Sequence, residues 1–493
     1  MDIHIIKKIC ITTIVFVCFN AGLSMAQDGP WSLEKCIQYA IDNNISIKQQ
    51  ELNTDYQKNQ VFTSKMSVLP SVNSSAYQNF TFGRSVDMYT NEFSEDNTSS
   101  LNIDVSSRMD LFNGFRKYHE IQKSKLNLEA SLKDLKKAKN DISIAIANAF
   151  FNVLYNRELV ETSRAQVETT EEQVDNTRKL VEAGSLAQGN LLEVKSQLAN
   201  EELQLVNAEN ALDLAYLNLQ QLLELDSVKN FRILAPGIDA IEEGRILPEP
   251  YQVYQEAKMN MPEMEAARLD LEIASEDISI AKSGRYPSLS LSASYGSGFS
   301  DARQEIEDAT LVIPDDPMPI GYAVNQENGG EIFDVYQYNF DYTYKTKPFS
   351  DQMRDNASTS FSISLSIPIF NRWQVNSSIS NAEINYQGSK YNLESARKQL
   401  LKEIQQAHAD AKAAIKKYIA TQKALEAMQD SFKHTEKKFN IGMVNSLEYN
   451  MAKTQLNNTE SELLRAKYEF IFKQKILDFY RGIPITLTQK EHE

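Results

Sequence analysis

The sequence predicts a mainly helical chain with some β-structure, assembled from two copies of a helix–hairpin–long-helix unit. Three observations predict it. The chain aligns with itself at two constant offsets, each copy holds two short segments that alternate apolar and polar residues, and each holds a very long stretch almost free of glycine and proline. Its 493 residues suffice for two or three ordinary domains or one elongated body.

The first element is a secretory signal peptide over residues 1–26. Lys7 and Lys8 precede an apolar run from Ile9 to Phe19 and the small-residue pattern Ser24-Met25-Ala26. About 11 such residues are too few to cross a hydrocarbon layer of ~30 Å as a helix, and Val17 stands before Cys18 where a lipoprotein signal needs a small residue. Cleavage leaves Cys36 as the only cysteine, so no disulfide forms within the mature chain. It also removes Lys7, Lys8 and Asp2, net +1, taking the formal charge from −16 to −17. A surface this acidic repels phosphates, so nucleic acid is not an expected partner. No later stretch approaches 18 consecutive apolar residues, which leaves β-strands to make any membrane crossing.

The duplication organises the rest. Ala40, Asn43, Leu52, Pro70 and Ser71 match Ala257, Asn260, Leu269, Pro287 and Ser288 at an offset of 217 (40 to 257). Phe112-Asn113, Ala149, Gly184, Gln197-Leu198 and Glu202 match Phe370-Asn371, Ala407, Gly442, Gln455-Leu456 and Glu460 at an offset of 258 (112 to 370). The second copy therefore carries 41 extra residues (258 − 217) at one place. Residues 27–225 form the first copy, 226–250 a connector rich in glycine and proline, 251–481 the second copy, and 482–493 a tail.

Each copy opens with a short helix, the first capped by Ser32 with Leu33, Ile37, Ala40 and Ile41 on one face. Strands are expected near 69–82 and 98–111, and again near 286–299 and 357–370. In them Val72, Leu101, Ile103, Leu289, Leu291, Phe361 and Ile363 alternate with Ser, Asn and Asp, a period of two that suits a sheet between two different solvents. The excess residues enlarge the loop near 300–356, which holds Asp315-Asp316, Glu327, Glu331, Asp334, Tyr336, Tyr338, Tyr342 and Tyr344. It reads as a surface lid, and it lacks the spacing of an EF-hand.

Phe115 to Ala183 contains neither glycine nor proline, and Trp373 to Ile441 contains only Gly388. Either stretch as one helix is roughly 100 Å long. Val153, Val160, Val167, Val174 and Val181 recur every seven residues, the spacing of a supercoil seam, while Arg157, Glu161, Ser163, Thr170 and Thr177 between them suggest wet flanks. Gly184 and Gly442 then reverse the chain into helices from Asn190 to about Leu225 and from Met443 to about Arg481.

One chain offers four strands, too few to close a barrel, and open edges do not exist in lipid. If the sheet is embedded in a membrane, several chains must share one barrel; three copies give twelve strands and twelve helical strands in one tube, so a homotrimer is inferred from closure, though nothing in the residues counts subunits directly.

The sequence resembles the outer-membrane factor (TolC) family from Trp31 to about Arg481. The resemblance is carried by Trp31-Ser32-Leu33, Leu69-Pro70-Ser71 with Tyr286-Pro287-Ser288, the corners Leu111-Phe112-Asn113-Gly114 and Ile367-Pro368-Ile369-Phe370-Asn371, and the tips Glu182-Ala183-Gly184-Ser185 and Asn440-Ile441-Gly442-Met443. It implies a 12-stranded β-barrel in the outer membrane of a Gram-negative bacterium, continued by a long α-helical barrel in the periplasm. It implies a periplasmic adaptor and an inner-membrane pump, of resistance-nodulation-division or ABC type, as partners. By the same resemblance Gly184, Ser185, Leu186, Gly442, Met443 and Val444 dock the adaptor, and Glu448, Phe439, Asn190 and Met451 line the pore constriction. Met451, Phe439 and Val444 replace an acidic residue, a tyrosine and an arginine of the family lock, which suggests closure by apolar packing.

The resemblance implies passive exit for small molecules or drugs, with protein secretion as an alternative; a periplasmic coiled-coil scaffold is the alternative of another class. An enzyme is not expected: His119, His408, His434 and His492 are scattered, and His408 and Asp410 face different sides of a helix and read as solvated. No cofactor and no metal site are expected.

Overall fold

The computed structural model describes residues 30–86, 91, 93–94, 97–225, 231–234, 247–313, 318–325, 327 and 330–486. The expected signal peptide, most of the 226–250 connector, Asp315-Asp316, His492 and the tail beyond 486 lie outside them. In chain order the elements are α1 (Leu33–Asn43), α2 (Ile45–Met66), β1 (Ser71–Thr81), β2 (Ser85–Val86), β3 (Phe93–Ser94), β4 (Thr98–Asn113), α3 (Arg116–Glu182), α4 (Gln188–Leu222), α5 (Pro250–Asn260), α6 (Pro262–Ser283), β5 (Ser288–Ser300), β6 (Gln304–Val312), β7 (Gly321–Asn325), β8 (Glu331–Val335), β9 (Asn339–Thr346), α7 (Phe349–Asp355), β10 (Ser358–Ser366), α8 (Gln374–Asn440) and α9 (Ser446–Tyr480).

The two copies match element by element. Helices α1 and α5 have 11 residues each, α2 and α6 22, α3 and α8 67, and α4 and α9 35. Each copy opens with two helices where the sequence suggests one. Asn44 breaks the first pair: its backbone is extended, and its side-chain Oδ1 accepts from Ser46 N–H at 2.9 Å to start the next helix. In the second copy Met261 is extended and Pro262 fills the first position of α6, where its missing N–H costs nothing.

The chain divides into a helical unit (up to Asn59, Lys125–Ala274 and from Asn385) and a sheet-bearing unit (Gln60–Ser124 and Ser275–Ile384). In the helical unit Leu33, Cys36 and Ala40 pack with Ile146, Phe150, Leu154, Leu219 and Tyr468. A second cluster repeats the pattern, with Val253, Ala257 and Met264 against Leu393, Leu400 and Ile404. Cys36 thus occupies the place of Val253, and burial pushes its thiol up to about 12, so it packs as a small apolar group. Along α3, Val153, Val160, Val167 and Val174 are buried as the seven-residue spacing suggests. Ser163, Thr170 and Thr177 are buried too, with Asn156, and form the second stripe of the same heptad. Asn156 Nδ2 donates to the Asn152 carbonyl, and the Thr170 hydroxyl lies within hydrogen-bond reach of the Gln166 carbonyl, so these two polar groups find local partners away from water. Asp410 is not a solvated neighbour of His408. It accepts from Lys473 Nζ at 2.8 Å and Gln406 Nε2 at 2.7 Å, and the Lys473 ammonium holds its carboxyl below the usual range.

In the sheet-bearing unit four antiparallel strands run in the order β1–β4–β5–β10. The register puts Val72, Ala76, Ile103, Val105, Leu289, Leu291, Phe361, Ile363 and Leu365 on one face. Asn73, Ser75, Asn102, Asp104, Ser290, Ser292, Ser360, Ser362 and Ser364 occupy the other. Strand β10 stops at Ser366, short of residue 370, just ahead of Pro368, which has no N–H for the ladder. The enlarged loop is not structureless: it holds the two-stranded ribbons β6/β9 and β7/β8 and the helix α7.

At both strand-to-helix corners two successive residues adopt left-handed backbone, Gly114-Phe115 and Arg372-Trp373. Only the first corner demands glycine, since a Cβ on Gly114 would lie 2.5 Å from the Ser283 carbonyl oxygen. The ends of α4 and α9 differ in the same way, with Glu224 at φ 57° in the first copy and Gly482 at φ 86° in the second. Both close with the paired end bonds of a Schellman motif. Glu224→Gly should therefore stabilise the protein by about 1 kcal/mol, read as a raised denaturant midpoint in circular dichroism at unchanged slope.

Candidate functional site at the helical turns

Gly184 and Gly442 end α3 and α8 at φ 74° and 73°, with nothing around the space a Cβ would take. Backbone conformation alone selects glycine there. The N–H groups of Gly184 and Ser185 bond the carbonyls of Val181 and Leu180, and those of Gly442 and Met443 bond Phe439 and Lys438. After the turn the copies diverge. Helix α9 starts on Asn445, whose side chain accepts from Glu448 N–H at 2.9 Å, whereas α4 starts on Ala187 with no side-chain cap.

The ten candidate residues differ in exposure. Ser185, Met443, Glu448 and Met451 are exposed, while Leu186, Val444, Asn190 and Phe439 are half-buried. Leu447 and Met451 lie one helical turn apart on the exposed side of α9, at 60% and 66% exposure, with Met443 at 69%. At the offset of 258 the first copy has Ser185, Gly189 and Glu193 in those places. An exposed apolar stripe thus marks only the second turn.

The buried side of α9 holds what sequence reasoning missed. Tyr449 is buried, its ring centroid 4.7 Å from Phe439 and 5.4 Å from Phe432, and burial pushes its phenol up to about 12. One turn on, Lys453 is 5% exposed and meets Glu201 of α4, 1% exposed, at 3.7 Å. Thr170 of α3, also buried, hydrogen-bonds both Lys453 and Glu201, and Gln197 donates to Glu201 at 2.8 Å. Burial pulls the Lys453 ammonium below the ordinary lysine value, and Glu201 restores part of the loss. Further along, the Tyr468 hydroxyl donates to Glu158. These polar joints tie α9 to α3 and α4. The sequence signal for them was the stripe Tyr449, Lys453, Asn457 at helical spacing, which places a lysine among buried positions.

The chain matches the family described as outer membrane efflux protein over residues 36–224 and 253–477, two segments that coincide with the two copies. It is 25% identical over 332 residues to outer membrane protein TolC of Escherichia coli (strain K12), and 24% over 348 residues to that of Salmonella enteritidis. The alignments cover 66% and 68% of this chain but only 58% and 60% of those relatives, under two thirds of their length. Among solved structures, CusC superposes with a TM-score of 0.71 at 17% identity, covering 93% of this chain and 96% of that one. VceC of Vibrio cholerae gives 0.67 at 15% identity, covering 91% and 96%. The open-state MtrE channel of Neisseria gonorrhoeae gives 0.67 at 17% identity, covering 94% and 91%.

Lys453→Met alone strands the Glu201 carboxylate and should cost about 3 kcal/mol, whereas adding Glu201→Met removes the unpaired charge and should recover most of it. A double-mutant cycle in chemical unfolding measures the difference.

Proposed function

The chain belongs to the outer membrane efflux protein family, and on that premise we propose that three copies close one channel through the outer membrane. The channel gives passive exit to small molecules that an inner-membrane pump delivers through a periplasmic adaptor. The observation that carries this reading is the sheet. One face is apolar and the other is lined by serine and asparagine, as lipid outside and water inside require. Its strands have 11, 16, 13 and 9 residues, each long enough for the ~9–11 that a tilted strand needs to cross a bilayer. Its outer strands β1 and β10 each have one edge without a partner among the described residues. In lipid those edges need neighbours, and three copies supply twelve strands.

On this reading the long helices continue the wall of the duct and the glycine turns form its periplasmic end. Gly184, Ser185, Leu186, Gly442, Met443 and Val444 meet the adaptor there. Glu448, Met451, Phe439 and Asn190 stand around the constriction, and Leu447 joins them. The exposed Leu447 and Met451 suit a closure that works by dewetting, because a narrow apolar ring excludes water and ions without a lock of charges. Glu448 beside them adds a carboxylate from each copy and biases passage toward cations.

In planar bilayers the purified protein should conduct poorly. Leu447→Ser with Met451→Ser should raise its conductance severalfold by wetting the ring. Absence of any pore from both proteins would contradict the channel reading.

A further inference from the structure

Among the described residues the β6/β9 ribbon belongs to the second copy alone; the matching place in the first copy shows the two-residue strands β2 and β3. Its register makes it amphipathic. Ile306, Ala309 and Leu311 lie opposite Tyr344, Tyr342 and Phe340, so six apolar side chains share one face. The three rings form a ladder with centroids 6.2 and 6.4 Å apart, and all three are exposed. Glu305, Asp308 and Asp341 lie on the opposite face, where Lys345 approaches Glu305 at 3.9 Å. From Gln304 to Thr346 the sequence places nine Asp and Glu residues against Lys345 alone.

The base of this ribbon is fixed. Gln352 of α7 is fully buried; its Nε2 donates to the carbonyls of Ser300 at 2.9 Å and Lys347 at 2.8 Å, and its Oε1 accepts from Ser300 N–H at 3.0 Å. Asn356 Nδ2 donates to the Gly298 carbonyl at 2.7 Å. Above this clamp two strands stand alone, an arrangement that is marginal without further cover. The β6 side carries a bulge at Glu307, a device that blunts an edge. Strand β9 has neither bulge nor proline over its eight residues, and its outer edge is unpaired among the described residues.

We infer that the β9 edge is a docking site for an extended segment of a partner protein in which apolar residues alternate with lysine or arginine. Such a segment adds as a third strand through main-chain hydrogen bonds. Its period of two then sets apolar side chains beside Phe340, Tyr342 and Tyr344 and basic ones beside the acidic face. A second copy of this chain is disfavoured as the occupant, because it would bring like charge against like charge. The inference rests on the channel reading, in which the ribbon stands outside the cell.

The test uses the full-length protein in detergent and a fluorescent decapeptide of alternating Lys and Phe. This probe should bind about tenfold tighter than a peptide of the same composition with five lysines followed by five phenylalanines. N-methylation of one alternate set of its residues should abolish binding. Tyr342→Ser with Tyr344→Ser should weaken it about tenfold, and Asp308→Asn with Asp341→Asn should flatten its salt dependence. Equal binding of the block peptide, or indifference to N-methylation of either set, would overturn strand addition. Spontaneous disulfide cross-linking of Tyr342→Cys between copies would overturn it in favour of self-packing. Failure of Tyr342→Cys to react with an impermeant maleimide on intact cells would instead sink the outward placement, leaving the peptide result with purified protein intact.

Discussion

The outer edges of β1 and β10 impose the condition on which the rest of the structure depends. Along each, roughly every second residue presents an N–H and a C=O that no strand pairs among the described residues. In water those groups are solvated at little cost. Beside lipid each unsatisfied group costs several kcal/mol, so two edges of 11 and 9 residues forfeit on the order of tens of kcal/mol. A folded domain is stable by only about 5–15 kcal/mol. On the proposed reading neighbouring copies pair these edges, which reconciles the apolar face of the sheet with its open edges.

The duplication makes departures between the copies informative. Helix lengths and buried positions are repeated, down to Cys36 beside Val253 and Ile146 beside Ile404 in equivalent cores. Against that background three differences concern the surface: the apolar stripe Met443, Leu447, Met451, the side-chain cap on Asn445, and the ribbon between β5 and β10. None improves the shared core. All three belong to the second copy, where the proposed partner contacts of this chain are concentrated.

Much of the fold was legible because its signals are long. A stretch without glycine or proline from Phe115 to Ala183 leaves little choice but a helix, and serine alternating with Leu289 and Leu291 leaves little but a strand between unlike solvents. The break at Asn44 was missed, although Pro262 in the second copy marked the same boundary. Ser163, Thr170 and Thr177 read as wet because hydroxyls usually are, yet all three are buried, Thr170 with partners on its own helix and on α4 and α9. The glycine turns were visible from composition. Lys453 with Glu201 was not, since 252 residues separate partners that only the packing of α9 on α4 brings together (453 − 201). Charge and aromatic content marked the residues after Ser300 as unusual, but their strand pairing depended on the alternation Phe340, Tyr342, Tyr344 being read as structure.

The closure of the sheet between copies is tested most directly by cysteines on its serine face. Asn73→Cys or Ser75→Cys on β1, combined in one chain with Ser360→Cys, Ser362→Cys or Ser364→Cys on β10, would be oxidised in outer-membrane fractions and resolved without reductant. Pairing around an axis predicts covalent dimers and trimers that stop at three chains for the pairs in register. Monomers throughout, across every pair and with the protein folded, would contradict the account.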